Sequence, residues 1–535
     1  MFKTLLRYFN TIKYLEPKQV YLRVLYKIYF PVINVNVKFK KNEKKIKNII
    51  FLDKENSFNE NKFTFLNISK DYKKNNSWKY YNTSKLWTYN LHYFDYINVK
   101  KNVLSNDIVI GLINDWINNN YSRRGIGWES YPLSLRIINW IKWSITNNIQ
   151  SNKIDESLYI QSRWLNLRVE YFLQGNHLIS NAKALIYSGL YFSTKESNNW
   201  LCKGLKILNE ELDKQILNDG GHFELSTMYQ LIVLEDLIDI FNLMRVYNYN
   251  NQIIIQKLEK KIIKMISWSM SMQHPDGKIS FFNDAAFNIA QDFPAIKKYS
   301  QNLGIPIPAE NNNLVKINYL SNSGYVSIKN HDLCLIVDIA QVGSKIQPGH
   351  AHADSLSFEM SIAEDRFIVN SGTSTYDENK TRKFQRSTLA HSTVTINNQN
   401  SSDVWKSFRV AERANITEIS VNNNRIKQSV EASHDGYRPI KHTRQWICEN
   451  NYLLINDKII GKFKSAIARL YLHPGIKIIN ETTFKTPKEK IIKLSSNNNY
   501  KIIKSTWHPE FGKQLKNHCI EIKIKSSLNE TKFSW

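Results

Sequence analysis

Apolar positions change their spacing partway along this chain. From about residue 105 to 275 they recur every third and fourth residue. Ile110, Ile113, Trp116 and Ile117 share one helical face, and Leu133, Ile137, Trp140 and Ile141 share another. The same spacing predicts helices near 157–173, 178–192, 199–216, 227–247 and 252–272, joined by short polar or glycine-containing links. Successive antiparallel helices with brief connections predict a bundle, a solenoid or a closed toroid of helical hairpins. Farther on the period falls to two. Gly324–Ile328 and Cys334–Asp338 flank Asn330-His331-Asp332 as a β-hairpin, and Ser357–Ile362 and Phe367–Val369 flank another turn. Strand-like runs continue at 392–397, 452–459, 467–473 and 519–525, so the second half reads as an antiparallel β-sandwich. The change of period puts a boundary near 305–320, at Pro306, Pro308 and Asn311-Asn312-Asn313. Three parts result: a basic helical and extended segment over 1–80, a helical domain over 81–315 and a β-domain over 316–535.

Length agrees with more than one domain, because 535 residues exceed what one core usually fills. Charge narrows the partners. Lysine and arginine outnumber acids 73 to 47, a formal net charge of +26 that points to nucleic acid, anionic lipid or acidic polysaccharide. No basic helix, glycine-rich phosphate loop or zinc-finger spacing is present, and the charge is spread, so nucleic acid is set aside. The aromatic run Trp87–Phe94, which contains His92, suits stacking on sugar rings, and the edge of an amphipathic core explains it equally well. Cys202, Cys334, Cys448 and Cys519 lie far apart with no CxxC pair and predict buried thiols without a disulfide framework. Met1–Asn10 has no long apolar stretch and no small-residue cleavage site, so no signal peptide is expected. Residues 19–34 are apolar but interrupted by Arg23 and Lys27. They read as a helix packed on the domain, with a basic amphipathic helix on a membrane surface as the alternative.

Four clusters carry candidate chemistry. Gln174-Gly175-Asn176-His177 opens a predicted helix, where an amide, an imidazole and free backbone N–H groups suit a carboxylate. Gly220–Gln230 contains Glu224 and Tyr229, with Thr227 and Gln230 at capping-box spacing, which predicts Tyr229 in a first helical turn. His350, His352 and Asp354 fall on one face if Gly349–Phe358 is extended, an arrangement suited to a metal or to divided proton transfer and ligation. Arg382 and Arg386, followed by His391, supply cations able to hold anionic groups bidentately.

Together these clusters resemble the heparinase II/III-like polysaccharide lyases. The matching residues run in order: Trp87–Tyr96, Gly127–Arg136 with Trp128, Asn176-His177, Gly221–Tyr229, Asn283-Asp284, His350–Phe358 and Ala390-His391-Ser392. The resemblance implies an α/α toroid followed by an antiparallel β-sandwich, with the active-site cleft between them. It implies β-elimination on a uronic-acid-containing polysaccharide, with Asn176 and His177 holding the carboxylate and Tyr229 and His350 moving protons. Arg382, Arg386, Glu224, Trp128 and His92 are the accompanying candidates for substrate contact. It also implies a structural metal, often zinc, at His352 and His391, with Asn370 where an aspartate ligand is usual. A neutral amide is a poor zinc ligand, so Asp354 is the alternative. The family's usual place of work implies the cell envelope or periplasm, and the lack of a visible signal peptide makes the cytoplasm the alternative. Two other readings remain open: a glycoside hydrolase using Glu224 and Asp284, and a non-catalytic acidic-glycan-binding or assembly protein.

Overall fold

In a computed structural model of the protein, all residues are described except 1, 45, 47–48, 74–77, 81, 101–102, 310–314, 425–426 and 450. The chain begins with helices α1 (Phe2–Ile12) and α2 (Pro17–Ile28), then a small sheet of β1 (Phe58–Asn59), β2 (Lys62–Phe65) and β3 (Ile68–Asp71). Glu16 and Gln19 form the capping box that starts α2, and Pro17 sits where its missing N–H costs nothing. The helix ends at Ile28, so only part of the apolar stretch over 19–34 is helical. Among the described residues no helix is long and apolar enough to cross a membrane.

The helical domain consists of α3 (Lys85–Tyr93), α4 (Asn106–Asn119), α5 (Ser130–Thr146), α6 (Asn152–Leu167), α7 (Gly175–Tyr191), α8 (Lys195–Gln215), α9 (Thr227–Val246), α10 (Gln252–Ser271) and α11 (Phe293–Asn302). Antiparallel neighbours pack in succession, with α7 touching α5, α8 and α9. That central position explains why α7 is apolar or small almost all round and nearly wholly buried. Gly189 lies against the α8 backbone: an added Cβ would meet Leu201 Cα at 2.8 Å.

Helices give way to strands between Asn302 and Val315; the Asn311–Asn313 run lies outside the described residues. Strands β4 (Val315–Leu320), β5 (Tyr325–Asn330), β6 (Leu333–Asp338), β7 (Phe358–Ile362) and β8 (Asp365–Val369) run antiparallel, and Ala466–Leu472, Leu515–Ile524 and Tyr500–Trp507 extend their sheet. A second sheet of eight described strands, from Ile416–Asn423 to Leu528–Ser534, covers one face. The toroid covers part of the other. Along β6 the alternation is visible: Leu333, Leu335 and Val337 enter the inter-sheet core, while Cys334 and Ile336 pack with Trp268, Met272 and Phe282 of the helical domain. A strand covered on both faces reads as an unbroken apolar run, which Leu-Cys-Leu-Ile-Val is.

Two local expectations are corrected. Gly349–Ser357 is a loop, and the strand begins only at Phe358. Ser226, not Thr227, caps α9: its Oγ accepts from the Tyr229 N–H at 3.2 Å, while the Gln230 amide binds His222 N and the Gly220 and Met265 carbonyls.

Candidate active site

The interdomain cleft has a volume of about 1040 Å3, and Tyr131, Asn176, His177, Tyr229, His350 and Tyr376 all line it. Asn176 and His177 stand in the first turn of α7, where free N–H groups favour an anion. The Asn176 amide donates to the Tyr131 hydroxyl at 3.1 Å, and the Tyr131 ring stacks on His177 at 4.1 Å. His177 Nδ1 pairs with Glu170 at 3.1 Å, which leaves Nε2 to the cleft. Tyr229, in the first turn of α9, has its ring 4.0 Å from that of His350 and its hydroxyl 2.9 Å from the Tyr376 hydroxyl. Burial, with Tyr376 and Asp284 nearby, holds the Tyr229 phenol well above its ordinary value, so it rests protonated.

Asp284 organises the His350 loop. Its carboxylate accepts from His350 Nδ1 and His352 Nε2, each at 2.8 Å, and from two guanidinium nitrogens of Arg382. Burial alone would raise this carboxyl, but Arg382 and the two imidazoles hold it well below the usual carboxylate range. Asn283, at φ +57°, pins the same loop: its side-chain oxygen accepts from His352 N at 3.0 Å, and its own N–H donates to Asp354 at 3.2 Å. The folded loop thus turns both histidines onto one carboxylate, which the expected strand was to do by alternation. Glu224 lies behind His350, with Oε2 3.6 Å from Nε2. Burial raises its carboxyl, partly offset by His350.

Several expected substrate contacts are elsewhere. Arg382 is 1% exposed, and its donors go to Asp284 and the Ser407 carbonyl, so it orients Asp284 and does not face the cleft. Arg386 is likewise buried and holds the Ala351 and Lys406 carbonyls. Trp128 packs between Trp116 and Trp164 and donates to the Asn120 carbonyl at 2.7 Å. His92, 2% exposed, accepts from Trp116 Nε1 at 3.0 Å, and burial pushes its pKa down to about 3. Glu224 is not on the cleft surface. Tyr376, which does line it, has no periodic or motif signal that singles it out, and Tyr131 falls inside the matching run Gly127–Arg136 without being singled out from it. Asp284 was legible in Asn283-Asp284, though in a different role.

The candidate metal residues also rearrange. His352, Asp354 and His391 bring ligand atoms within 4.8 Å of one another. Asn370 is not among them: its oxygen accepts from Ser392 N at 2.9 Å and its amide donates to the Phe281 carbonyl at 3.0 Å.

A helical toroid joined to an antiparallel sandwich defines a class of architecture also found in a heparinase III crystal structure. That structure superposes with a TM-score of 0.72 at 17% identity, covering 96% of this chain and 89% of the other. The chain belongs to the heparinase II/III family: the family descriptions "Heparinase II/III N-terminus" and "Heparinase II/III-like, C-terminal" match residues 3–303 and 314–535. A heparin-sulfate lyase of Bacteroides stercoris is 28% identical over 347 residues, 60% of this chain and 49% of that protein. A heparin-sulfate lyase of Pedobacter heparinus is 26% identical over 357 residues, 63% of this chain and 52% of that protein. The chain therefore spans about half the length of these two relatives.

Proposed function

We propose that this protein is a polysaccharide lyase that cleaves a uronic-acid-containing acidic polysaccharide by β-elimination. The observation that carries the reading is the contact of the Tyr229 phenol with the His350 imidazole on the wall of the same cleft that Asn176 and His177 line. His350 donates Nδ1–H to Asp284, which leaves the Nε2 lone pair as a base. It takes the C5 proton; the C5–H electron pair becomes the C4=C5 double bond, the C4–O bond breaks, and the leaving oxygen takes the Tyr229 proton. The opposite C5 epimer exchanges or merges these roles. Asn176 and His177 neutralise the carboxylate as charge develops on it. The net charge of +26 favours a polyanion, and the relatives' names agree.

The hydrolase alternative loses its second carboxylate, because both Asp284 oxygens are occupied by Arg382 and the two histidines. Incubation with heparan sulfate, heparin and alginate, followed by near-ultraviolet absorbance, tests the reading: an unsaturated product supports it, and new reducing ends without absorbance would refute it.

A structural metal fits His352, Asp354 and His391. His352 gives Nε2–H to Asp284 and His391 gives Nδ1–H to the Ser387 carbonyl at 2.8 Å, so His352 Nδ1 and His391 Nε2 face each other as lone pairs at 3.1 Å. Burial pushes His352 down to about 4, which disfavours a proton between them at neutral pH. Two nitrogens on one tetrahedral zinc sit about 3.3 Å apart, close to this spacing. Such an ion would fasten the His350 loop to the β-domain and take no part in proton transfer.

A further inference from the structure

The cleft is bridged twice by the N-terminal segment. The first bridge is the α1–α2 strap. At its α1 end Arg7 holds Asp403 through two 2.8 Å contacts, Thr11 accepts from Trp405 Nε1 at 3.1 Å, and Tyr8 packs edge-on against Trp405 at 4.9 Å. These partners belong to the β-domain. At its α2 end Tyr26 bonds Ser130 at 2.8 Å, packs on Phe172 at 4.8 Å and accepts from Arg168 at 2.7 Å, all on the helical domain. Between the anchors Ile12, Leu15, Val20 and Val24 line the cleft.

The second bridge is the β2–β3 turn. Its far side is tied to the helical domain, where Trp87 donates to the Ile68 carbonyl at 2.9 Å. Its tip reaches the β-domain: Asn67 donates to the Phe511 carbonyl at 2.9 Å and to Glu510 at 3.2 Å. Approach there is close enough that a Cβ on Gly512, at φ +76°, would lie 2.3 Å from the Leu66 carbonyl oxygen. Residues of both bridges line the cleft that holds Tyr229 and His350, and Tyr376, whose hydroxyl bonds that of Tyr229, links them. The Tyr376 ring touches Phe408, next to the strap-bound Arg409, at 5.1 Å and Phe511, beside the turn, at 4.8 Å.

We propose that the strap and the turn close the cleft on both sides of Tyr229 and His350, so that substrate enters end-first and the enzyme is exolytic. A through-running polymer needs an open groove on either side of the scissile bond, and two stretches of main chain tied to both domains cross this cleft. The cleft volume of about 1040 Å3 lies just above the range of pockets that surround a small ligand, about 300–1,000 Å3. The inference rests on the lyase reading for its chemistry and on the two bridges for its mode.

Product size during the first few percent of reaction on heparan sulfate, followed by size exclusion with ultraviolet detection, tests the mode. One smallest unsaturated species from the start, with the polymer peak unmoved, is expected. An early ladder of intermediate lengths would overturn the inference and leave the lyase reading standing. Arg7→Glu combined with Tyr26→Phe, which removes the Ser130 bond, should loosen the strap at both ends and add intermediate lengths while the melting temperature stays close to that of the parent. An unchanged product profile in a folded variant of this kind would show that the strap does not block the groove. A binding measurement works without turnover. Tyr229→Phe titrated with heparan sulfate of two chain lengths should bind about one protein per chain at both, since only ends enter. Stoichiometry rising with length, or no binding to any chain, would overturn the end-first pocket. Unsaturated product from none of the polymers, with end-limited binding intact, would sink only the elimination chemistry.

Discussion

Asp284→Asn removes one charge and keeps the shape of a side chain that joins five donors. The carboxylate accepts from His350 Nδ1, which reaches the cleft, and from the buried His352 Nε2, Thr373 Oγ1 and two Arg382 nitrogens. An amide offers one oxygen to these donors and turns an NH2 toward at least one of them. Arg382 then keeps only the Ser407 carbonyl as a full partner. Breaking a buried ion pair by removing one partner costs about 3–5 kcal/mol, and the retained oxygen places this substitution near about 3 kcal/mol. Turnover should fall further than stability accounts for. With NH2 facing Nδ1, His350 must present that nitrogen as acceptor and carry its proton on Nε2, which removes the lone pair assigned to the C5 proton. Misplacing a general base costs about 10²–10⁴-fold. The assay is kcat on a responsive polymer, well below the melting temperature of the variant, with thermal unfolding measured in parallel. A folded variant with parental kcat would refute the role of Asp284 in setting the His350 tautomer. A change confined to KM would make the carboxylate a binding group.

Tyr229→Phe deletes one hydroxyl from a packed ring and should lower kcat about 10²–10⁴-fold with the fold intact; parental turnover would make Tyr229 structural. Asn176→Ala and His177→Ala should lower kcat more than they raise KM, because their contacts strengthen as charge develops; a pure KM effect in both would reassign them to ground-state binding. Elemental analysis of protein purified without added metal should find about one zinc per chain, and chelation should lower the melting temperature before turnover; absence of metal would mean that His352 and His391 share a proton, and immediate reversible loss of turnover would make the ion catalytic. Stability should fall as pH drops below about 6.5, since His92 and His222 are held near 3 by burial and the unfolded chain takes their protons first. Each should cost about 2 kcal/mol between pH 6.5 and 5. Urea midpoints that do not move over that range would show that these imidazoles are not buried neutral.

The helical half was legible because its helices each bury one face against neighbours, which stamps a 3.6-residue period on long segments. Expected spans such as 227–247 and 252–272 lie within a residue of α9 and α10. Strands at the centre of the sandwich were legible for the related reason that both faces are covered, as in β6. The polar strands Ile416–Asn423 and Gln428–Tyr437 were passed over, since their exposed faces carry Glu, Ser and Asn and only one side reaches the core. The small sheet over Phe58–Asp71 gives still less signal, being short and stabilised by aromatic contacts with the distant Trp78, Trp87 and Tyr96.

Motif spacing located the candidate groups but not which way their neighbours face. Asn176, His177, Tyr229 and His350 come from three separate segments, and the fold brings all of them to one cleft. Sequence gives Arg382 and Arg386 the look of substrate cations, because a charge is assumed to be solvated unless something buried needs it. Here something does: Asp284 must stay ionised in a dry site to hold two imidazoles, and the bidentate Arg382 guanidinium is the main group that offsets its desolvation. The same logic moves the metal set. Asn370 serves the backbone of Phe281 and Ser392 as a neutral hydrogen-bonding bracket, a task a carboxylate could not perform because it has no N–H to give. Asp354 supplies the charge from the loop itself, two residues from His352. A candidate ligand position can therefore move in sequence while its place in the fold stays put, when one neutral and one charged side chain exchange tasks.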